Sequence, residues 1–382
     1  MVEAISVSTK EIDDIDKAVE EILGQLKHIK LKKNTIGILT CHSDFVLSGT
    51  VKAICSKLSF HTIGTVTFAQ AVKNKASVLL LSILVITSDD VNFSSALTPS
   101  LLGDPRKVIT ETYRGLQTNV KPEVIFIFSA FISENSNDEY VDVLTKESGG
   151  IPLFGTIAID DTSDYSSAFM IYNGEEYHDR LGIVLLSGNI SPKFYTATIS
   201  KDKILDKTAV ITSSSGRLIK EVNNRPLIDY FAELGLADAG ENNYGIFSLP
   251  FIIDYNDGTP KVSKVFLGFN ENKEGVCAGE MPEGATLYIG MFSKEDVLFT
   301  TGETVTKALA ENKNASLFLA FSCISRAVSL GSDVFAELNI IKEKVSTPFL
   351  VACSGGEICP TQINDTNAIN RFHNNTFILC VI

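Results

Sequence analysis

The chain has no apolar run long enough to cross a bilayer. Its most apolar stretch, Ala76 to Ile86, is about half the roughly 20 residues a spanning helix needs. It reads instead as a buried strand. Met1 to Glu11 lacks a basic segment followed by an apolar one, so no secretory signal is expected. No G-x-G-x-x-G or Walker pattern occurs, which leaves a nucleotide site unsupported. Basic residues are in deficit, with 33 Lys and Arg against 46 Asp and Glu and a formal net charge of −13. Binding nucleic acid or an anionic membrane surface needs clustered Lys and Arg, so neither partner is expected. One or two arginines can still hold a small anion. The seven cysteines have no regular spacing. That argues against a disulfide framework and fits reduced thiols in a cytoplasmic protein.

What is present is an ordinary globular mix, 45% hydrophobic and 21% charged. At about 150 residues per domain, 382 residues suggest two or three domains. Ser8 and Glu11 have capping-box spacing. Ile12, Ile15, Val19, Ile22 and Leu26 then give one apolar helical stripe. Ile36 to Leu39 reads as a buried strand ending at Thr40-Cys41-His42. A helix through Val51, Ile54 and Leu58 follows, then an extended stretch, Thr62 to Val66, and the strand Val78 to Ile86.

The same order returns twice. A helix near Arg106 to Gln117 precedes the strand Val124 to Phe128. A helix near Asp138 to Thr145 precedes Pro152 to Thr156, and Leu181 to Leu186 closes. Near the end, the helix Glu303 to Ala310 precedes Leu317 to Phe321. The helix Asp333 to Lys344 precedes Pro348 to Ala352, and Phe377 to Val381 closes. Leu39-Thr40-Cys41, Phe128-Ser129-Ala130 and Phe321-Ser322-Cys323 all end a first strand. Tyr177-His178-Asp179 and Phe372-His373-Asn374 both precede a last strand. On this matching Cys323 answers to Cys41, and His373 to His178. The fold expected is α/β, with two domains of mixed sheets flanked by helices, built from a repeated helix–strand–helix–strand–strand unit. Strands apolar on both faces imply sheets covered by helix layers.

The region between the last two copies is richer in strands. Ala209 to Thr212 and Arg217 to Val222 flank Ser213-Ser214-Ser215-Gly216, a hairpin signal. Asn224 and Pro226 start a helix that Gly235 ends. Ile246 to Ile253, Val265 to Phe269 and Thr286 to Met291 read as strands. The polar stretch Ser200 to Lys207 marks the boundary, giving domains of residues 1–205 and 206–382.

Reactive and polar residues gather in the last sixty positions, at the ends of apolar stretches, where α/β proteins hold ligands. Gly355-Gly356 before Glu357 permits close backbone approach to a ligand, or simply a tight bend. Arg326 suits a bidentate grip on a carboxylate, or a surface ion pair. Cys323, Cys353, Cys359 and His373 include metal-ligand types, but Cys353 and Cys359 are too widely spaced for the usual zinc pattern. Cys323 with His373 is conceivable as a thiol–base pair. Free cysteines are more often buried apolar residues. Glu134 and Asp138, in the matching loop of the second copy, read as loop and helix-cap carboxylates.

Taken in order, several short motifs resemble the FIST family of sensory proteins. In the amino-terminal half these are Ser6-Val7-Ser8, the strand ending at Cys41, and Pro152 to Thr156. In the carboxy-terminal half they are Arg225-Pro226 with Glu233-Leu234-Gly235, Met281 to Ala285, Cys323 with Arg326, Gly356-Glu357-Ile358, and His373-Asn374 with Thr376. The resemblance implies FIST N-terminal and C-terminal domains and a non-catalytic sensor of small ligands such as amino acids or related metabolites. It points to a ligand site at Cys323, Arg326, Gly355, Gly356, Glu357, His373 and Asn374, with no metal and no required cofactor. Family members are linked to kinases, cyclases or methyl-accepting proteins. The two domains fill nearly all of this chain, so such a partner is expected to be separate. Some relatives bind haem and sense nitric oxide, which makes haem at His373 or His178 one rival. A thiol enzyme using Cys323 is another.

Overall fold

The strands expected from the sequence are apolar because most lie in sheets buried on both faces. The computed structural model describes residues 1–116, 120–132, 135–162, 165–236, 249–362 and 368–382. It is a mixed α/β structure of three six-stranded sheets and one eight-stranded sheet, flanked by helices.

The first sheet runs in the order Glu3–Thr9, Leu81–Ser88, Asn34–Cys41, His61–Val66, Met170–Tyr172, Glu175–Tyr177. Asn34–Cys41 and His61–Val66 are parallel, and the other neighbours are antiparallel. The second sheet runs Val91–Leu97, Leu181–Gly188, Pro122–Ser129, Leu153–Ile157, Gly356–Gln362, Ala368–His373. The third runs Lys193–Ala197, Phe377–Val381, Phe318–Cys323, Phe349–Ser354, Gln70–Val72, Lys75–Ser77. Both have the same parallel central pair and antiparallel flanks. Each sheet is completed by a hairpin from elsewhere in the chain. Gln70–Ser77 crosses to the third sheet, Met170–Tyr177 to the first, and Gly356–His373 to the second.

The sheets share one central core. Ile38, Ile63 and Leu84 of the first meet Phe126, Phe128 and Phe154 of the second, and Leu319, Phe321 and Ile378 of the third. Phe321 lies 6.3 Å from Phe128 and 5.7 Å from Phe154, ring centroid to ring centroid. Each outer face packs on helices: Ile15–Leu26 and Thr50–Cys55 on the first, Pro105–Gly115 and Asn137–Ser148 on the second, Lys294–Glu311 and Ala336–Lys344 on the third. Gly155 is required by this packing, because a Cβ there would sit 2.0 Å from the Ile127 carbonyl of the adjacent strand.

The eight-stranded sheet begins at Ile204 and has its own core with helix Leu227–Glu233. The expected hairpin is present as Ile204–Ser215 and Leu218–Val222, and Gly235 takes a φ of +73° at the helix end. The strand expected from Ile246 is Phe251–Asp254, and residues 246–248 lie outside the described residues.

Several expectations are corrected. Ser8 is not a helix cap. It lies in strand Glu3–Thr9, where its neighbour Val7 fills the first outer core, and Asp14 caps the helix by accepting from the Lys17 amide. Ser200 to Lys207 is a short 3-10 turn, Lys201–Lys203, running into a strand. The positional matching of Cys323 and His373 is off by one. Cys41 pairs with Val66 and Leu81, as Ser322 does with Cys353 and Phe377. Cys323 therefore takes the place of His42. His373 opposes Glu357 as Tyr177 opposes Met170, so His373 matches Tyr177 and not His178. A one-residue slip exchanges the faces of a strand, so only the ladder fixes such matches.

Candidate functional site

The parallel strands Phe318–Cys323 and Phe349–Ser354 end side by side, and the next residues bring most of the sequence candidates together. Cys323, Glu357, His373 and Asn374 are all at most 2% exposed. Glu357 and His373 are direct partners in the antiparallel ladder, so their side chains leave the same face.

Glu357 stands out by comparison with its counterparts. Gln70 opposite Ala352, Met170 opposite Thr65 and Glu357 opposite Thr156 hold the same ladder place in the three exchanged hairpins. Gln70 is satisfied: its Oε1 accepts from Thr40 Oγ1 at 2.5 Å and its Nε2 donates to the Leu80 carbonyl at 2.6 Å. Met170 needs no partner. Glu357 is buried, and neither carboxylate oxygen has a hydrogen bond of normal geometry among the described residues. Burial pushes its pKa well above the usual carboxylate range. Ser354, the Thr376 amide and the Cys323 thiol lie near enough to offset this only in part. The corresponding ladder positions of the other two sheets hold Gln and Met rather than a carboxylate.

His373 donates from Nε2 to the Cys359 carbonyl at 3.0 Å, and its Nδ1 has no partner among the described residues. Burial, aided by Lys264 and Arg371, lowers its pKa to about 4, so the ring is neutral at pH 7. Asn374 donates its amide to the Ser263 carbonyl at 2.9 Å. Burial first, then the Glu357 carboxylate, pushes the Cys323 thiol up, while Ser325 donates a hydrogen bond to its sulfur at 3.1 Å. A thiol kept protonated in this way is a poor nucleophile.

Arg326 is neither at the surface nor open to a ligand. Its Nε donates to Glu337 Oε1 at 2.9 Å. Its terminal nitrogens reach the carbonyls of Thr198 at 3.0 Å, Val297 at 3.1 Å and Asn375 at 3.4 Å, and Thr301 Oγ1 at 2.9 Å. All five N–H donors are thus used inside the chain. Thr301 and Ser322 hydroxyls complete the partners of Glu337. Gly355 and Gly356 meet protein rather than open space. A Cβ on Gly355 would lie 2.7 Å from the Ala158 carbonyl, and one on Gly356 would lie 2.4 Å from the Phe372 ring.

Of these residues, His373 lines a cavity. A lobe of about 250 Å³ lies between it, Thr304 and Lys307 of helix Lys294–Glu311, Thr198, and the turn carrying Lys261. Thr198, Pro260 and Lys261 also line a larger cleft of about 720 Å³, whose walls include Lys201, Asp206, Asp254, Ser263 and Tyr288. The two adjoin as lobes that share Thr198, Pro260 and Lys261, and the larger falls in the range of ligand pockets, about 300–1,000 Å³. Lys261 Nζ sits 3.3 Å from the Tyr288 ring centroid. Ser263 Oγ is buried without a partner among the described residues. Three of the sequence candidates support these walls: Arg326 holds the Thr198 carbonyl, Asn374 holds that of Ser263, and His373 forms part of the surface. Lys261, Lys307, Ser263 and Tyr288 carry no motif, and sequence reading missed them.

The rival chemistries find little support. Among the described residues, no group of three or more His, Cys, Asp or Glu side chains is placed to hold a metal. For haem, the His373 ring is buried, its Nε2 is committed to a carbonyl, and the adjoining lobe, at about 250 Å³, has two lysines and four threonines in its wall beside Phe194, Tyr195 and two prolines. His178 is exposed and packs against Phe169 at 5.0 Å. These surroundings do not fit a large apolar macrocycle. Asp138 pairs with Lys264 across the two halves of the chain, and Glu134 lies outside the described residues. No described helix is long and apolar enough to cross a membrane.

Among solved structures, the chain is similar to a cyanuric acid hydrolase from A. caulinodans, at 8% identity and a TM-score of 0.39, covering 100% of this chain and 99% of that one. It also matches PurLQS from Thermotoga maritima, at 10% identity and a TM-score of 0.21, covering 100% of this chain and 71% of that one. Neither likeness is close enough to transfer a fold or an activity. No curated protein matches. Residues 35–225 match the FIST N domain and residues 227–360 the FIST C domain. The chain therefore belongs to the FIST family, whose domains are small-ligand-binding sensory domains of signal-transduction proteins.

Proposed function

We propose that the protein is a cytoplasmic, non-catalytic sensor that takes an amino acid or related small metabolite into the two-lobed cleft and signals through a separate kinase, cyclase or methyl-accepting partner. The supporting observation is the cleft itself, which lies where the two family domains meet and has His373 in its wall. Ligand sites favour such junctions. Within this reading His373 touches the ligand, while Cys323, Arg326, Gly355, Gly356, Glu357 and Asn374 set the shape of the surrounding wall. We read the domain division at 205/206, just inside strand Ile204–Ser215 that opens the eight-stranded sheet. The three six-stranded sheets, with their common strand order, are read as copies of one unit.

A thermal-shift screen of the full chain against amino acids and organic acids tests the reading. A ligand at 100 times its Kd adds roughly 2.7 kcal/mol of stability. At least one metabolite should raise the Tm, and Thr198→Trp, which fills the cleft edge, should abolish the shift. A flat screen on well-folded protein overturns the proposal.

A further inference from the structure

We infer that the ligand is a small organic anion whose acidic group is gripped by Lys261 and Lys307, with Lys261 moving off Tyr288 to take it. This rests on the ligand-binding reading and adds its chemical class. The chain as a whole is strongly acidic, at −13, yet the lobe at His373 has no carboxylate in its lining. Lys261, Lys307, Thr198 and Thr304 face it instead. Neither lysine has a carboxylate within 4.0 Å among the described residues, whereas some charges on the surrounding elements are paired. Lys294 pairs with Asp333, Arg326 with Glu337, and Arg371 with Asp257.

Lys261 rests on the Tyr288 ring face, a cation–π contact that is weak at an exposed site. A carboxylate or phosphate offers a charge-assisted hydrogen bond, roughly twice as strong as a neutral one. An arriving anion therefore competes well for the ammonium. Because Lys261 lines both lobes, its departure would also open the Tyr288 face to the ligand's apolar part, beside Ile199 and Ile252. His373 adds selectivity. Its neutral ring already donates through Nε2 and has no second N–H to offer an anion, so the lysines must carry the charge recognition. The acids Asp206 and Asp254 lie in the other lobe, so a ligand with an acidic end has one preferred orientation.

Titration calorimetry on the full chain tests this, using succinate, inorganic phosphate, the neutral analogue succinamide and the dication putrescine as probes. Succinate or phosphate should bind, and binding should weaken as salt rises. Binding of succinate alone identifies carboxylates, and of phosphate alone phosphorylated metabolites. Lys261→Gln and Lys307→Gln should each weaken binding at least about tenfold, a loss of about 1.4 kcal/mol. Both side chains are exposed, so an unchanged Tm without ligand confirms that folding is intact. The inference is overturned if succinamide or putrescine binds as tightly as the anions, if both variants bind like wild type, or if neither anion binds. In each case a neutral or cationic hit from the metabolite screen would leave the sensor reading standing, so the two can fail separately.

Discussion

Glu357 and His373 face each other across the antiparallel ladder between Gly356–Gln362 and Ala368–His373, and both keep buried polar atoms without partners. Burial disfavours the charged form of each, raising the pKa of the acid and lowering that of the base. Two groups whose charged forms burial disfavours therefore sit as ladder partners, and His373 reaches a cleft wall.

The first consequence concerns Glu357. Its folded pKa lies above the unfolded value of 4.5, so the folded state binds the extra proton and loses stability as pH rises above 4.5. Glu357→Gln removes that dependence and reproduces the residue that Gln70 shows to be acceptable at this place. The variant should match wild type near pH 4.5 and exceed it at pH 8, by on the order of 1–3 kcal/mol. Urea unfolding at the two pH values reads this. A variant less stable at pH 8 would mean the carboxylate is satisfied and needed.

His373 predicts the opposite slope in acid. The unfolded chain takes up its proton near 6.5 and the folded chain only near 4. Its contribution is fully present above pH 6.5 and is lost as pH falls toward 4, up to about 3 kcal/mol. His373→Asn should show a correspondingly shallower loss of stability over that window. NMR titration of the ring in wild type gives an independent check, since an apparent pKa near 6.5 would contradict the burial argument.

Arg326 is expected to be structural before it is functional. Arg326→Ala strands Glu337 in the interior and should cost about 3–5 kcal/mol. Arg326→Lys should recover little, because one ammonium cannot replace five fixed donors. A loss below about 1 kcal/mol in denaturant melts would refute the internal clamp.

Lys264 makes the corresponding link between the chain halves. It is fully buried, and its Nζ donates to Asp138 at 2.7 Å and to the Phe372 carbonyl at 2.8 Å. Burial is the largest influence and works against its charge, but Asp138, Tyr255 and Glu280 together outweigh it and the pKa is raised. Lys264→Met should destabilise by about 3–5 kcal/mol, and adding Asp138→Leu should restore most of that. A loss in the double variant equal to the sum of the two single losses would show that the pair is not coupled.

Gly355→Ala separates packing from ligand contact. The new methyl meets the Ala158 carbonyl, which should cost about 1–3 kcal/mol. Affinity for any screened metabolite, measured on the folded fraction, should stay within about threefold of wild type. Unchanged stability with abolished binding would instead place a ligand at that backbone.

Much of the fold was legible in the chain. The runs Ile36 to Leu39, Val124 to Phe128 and Leu317 to Phe321 announced buried central strands, because a strand covered on both faces must be apolar throughout. The short hairpins Gln70–Ser77 and Met170–Tyr177 were not legible. Each pairs with a sheet distant in sequence, and hydrophobic period carries no information about which sheet receives a strand. The site was half legible. Cys323, Arg326, Glu357 and His373 are unusual residue types at strand ends, and of the four His373 lines the cleft. Lys261, Lys307 and Tyr288 look like ordinary surface residues until the turn and the helix face one another across a cleft.

The sequence by itself determined the α/β class, the acidic balance, the family and the residues worth watching, since these follow from local period, composition and motif order. Only the tertiary structure decided that Arg326 is spent on Glu337, that Gly355 and Gly356 make room for protein, and that Glu357 is an unpaired acid where Gln70 is satisfied. Partners, burial and cavity walls come from segments far apart in the chain, and a side chain's chemistry is set by what is packed against it.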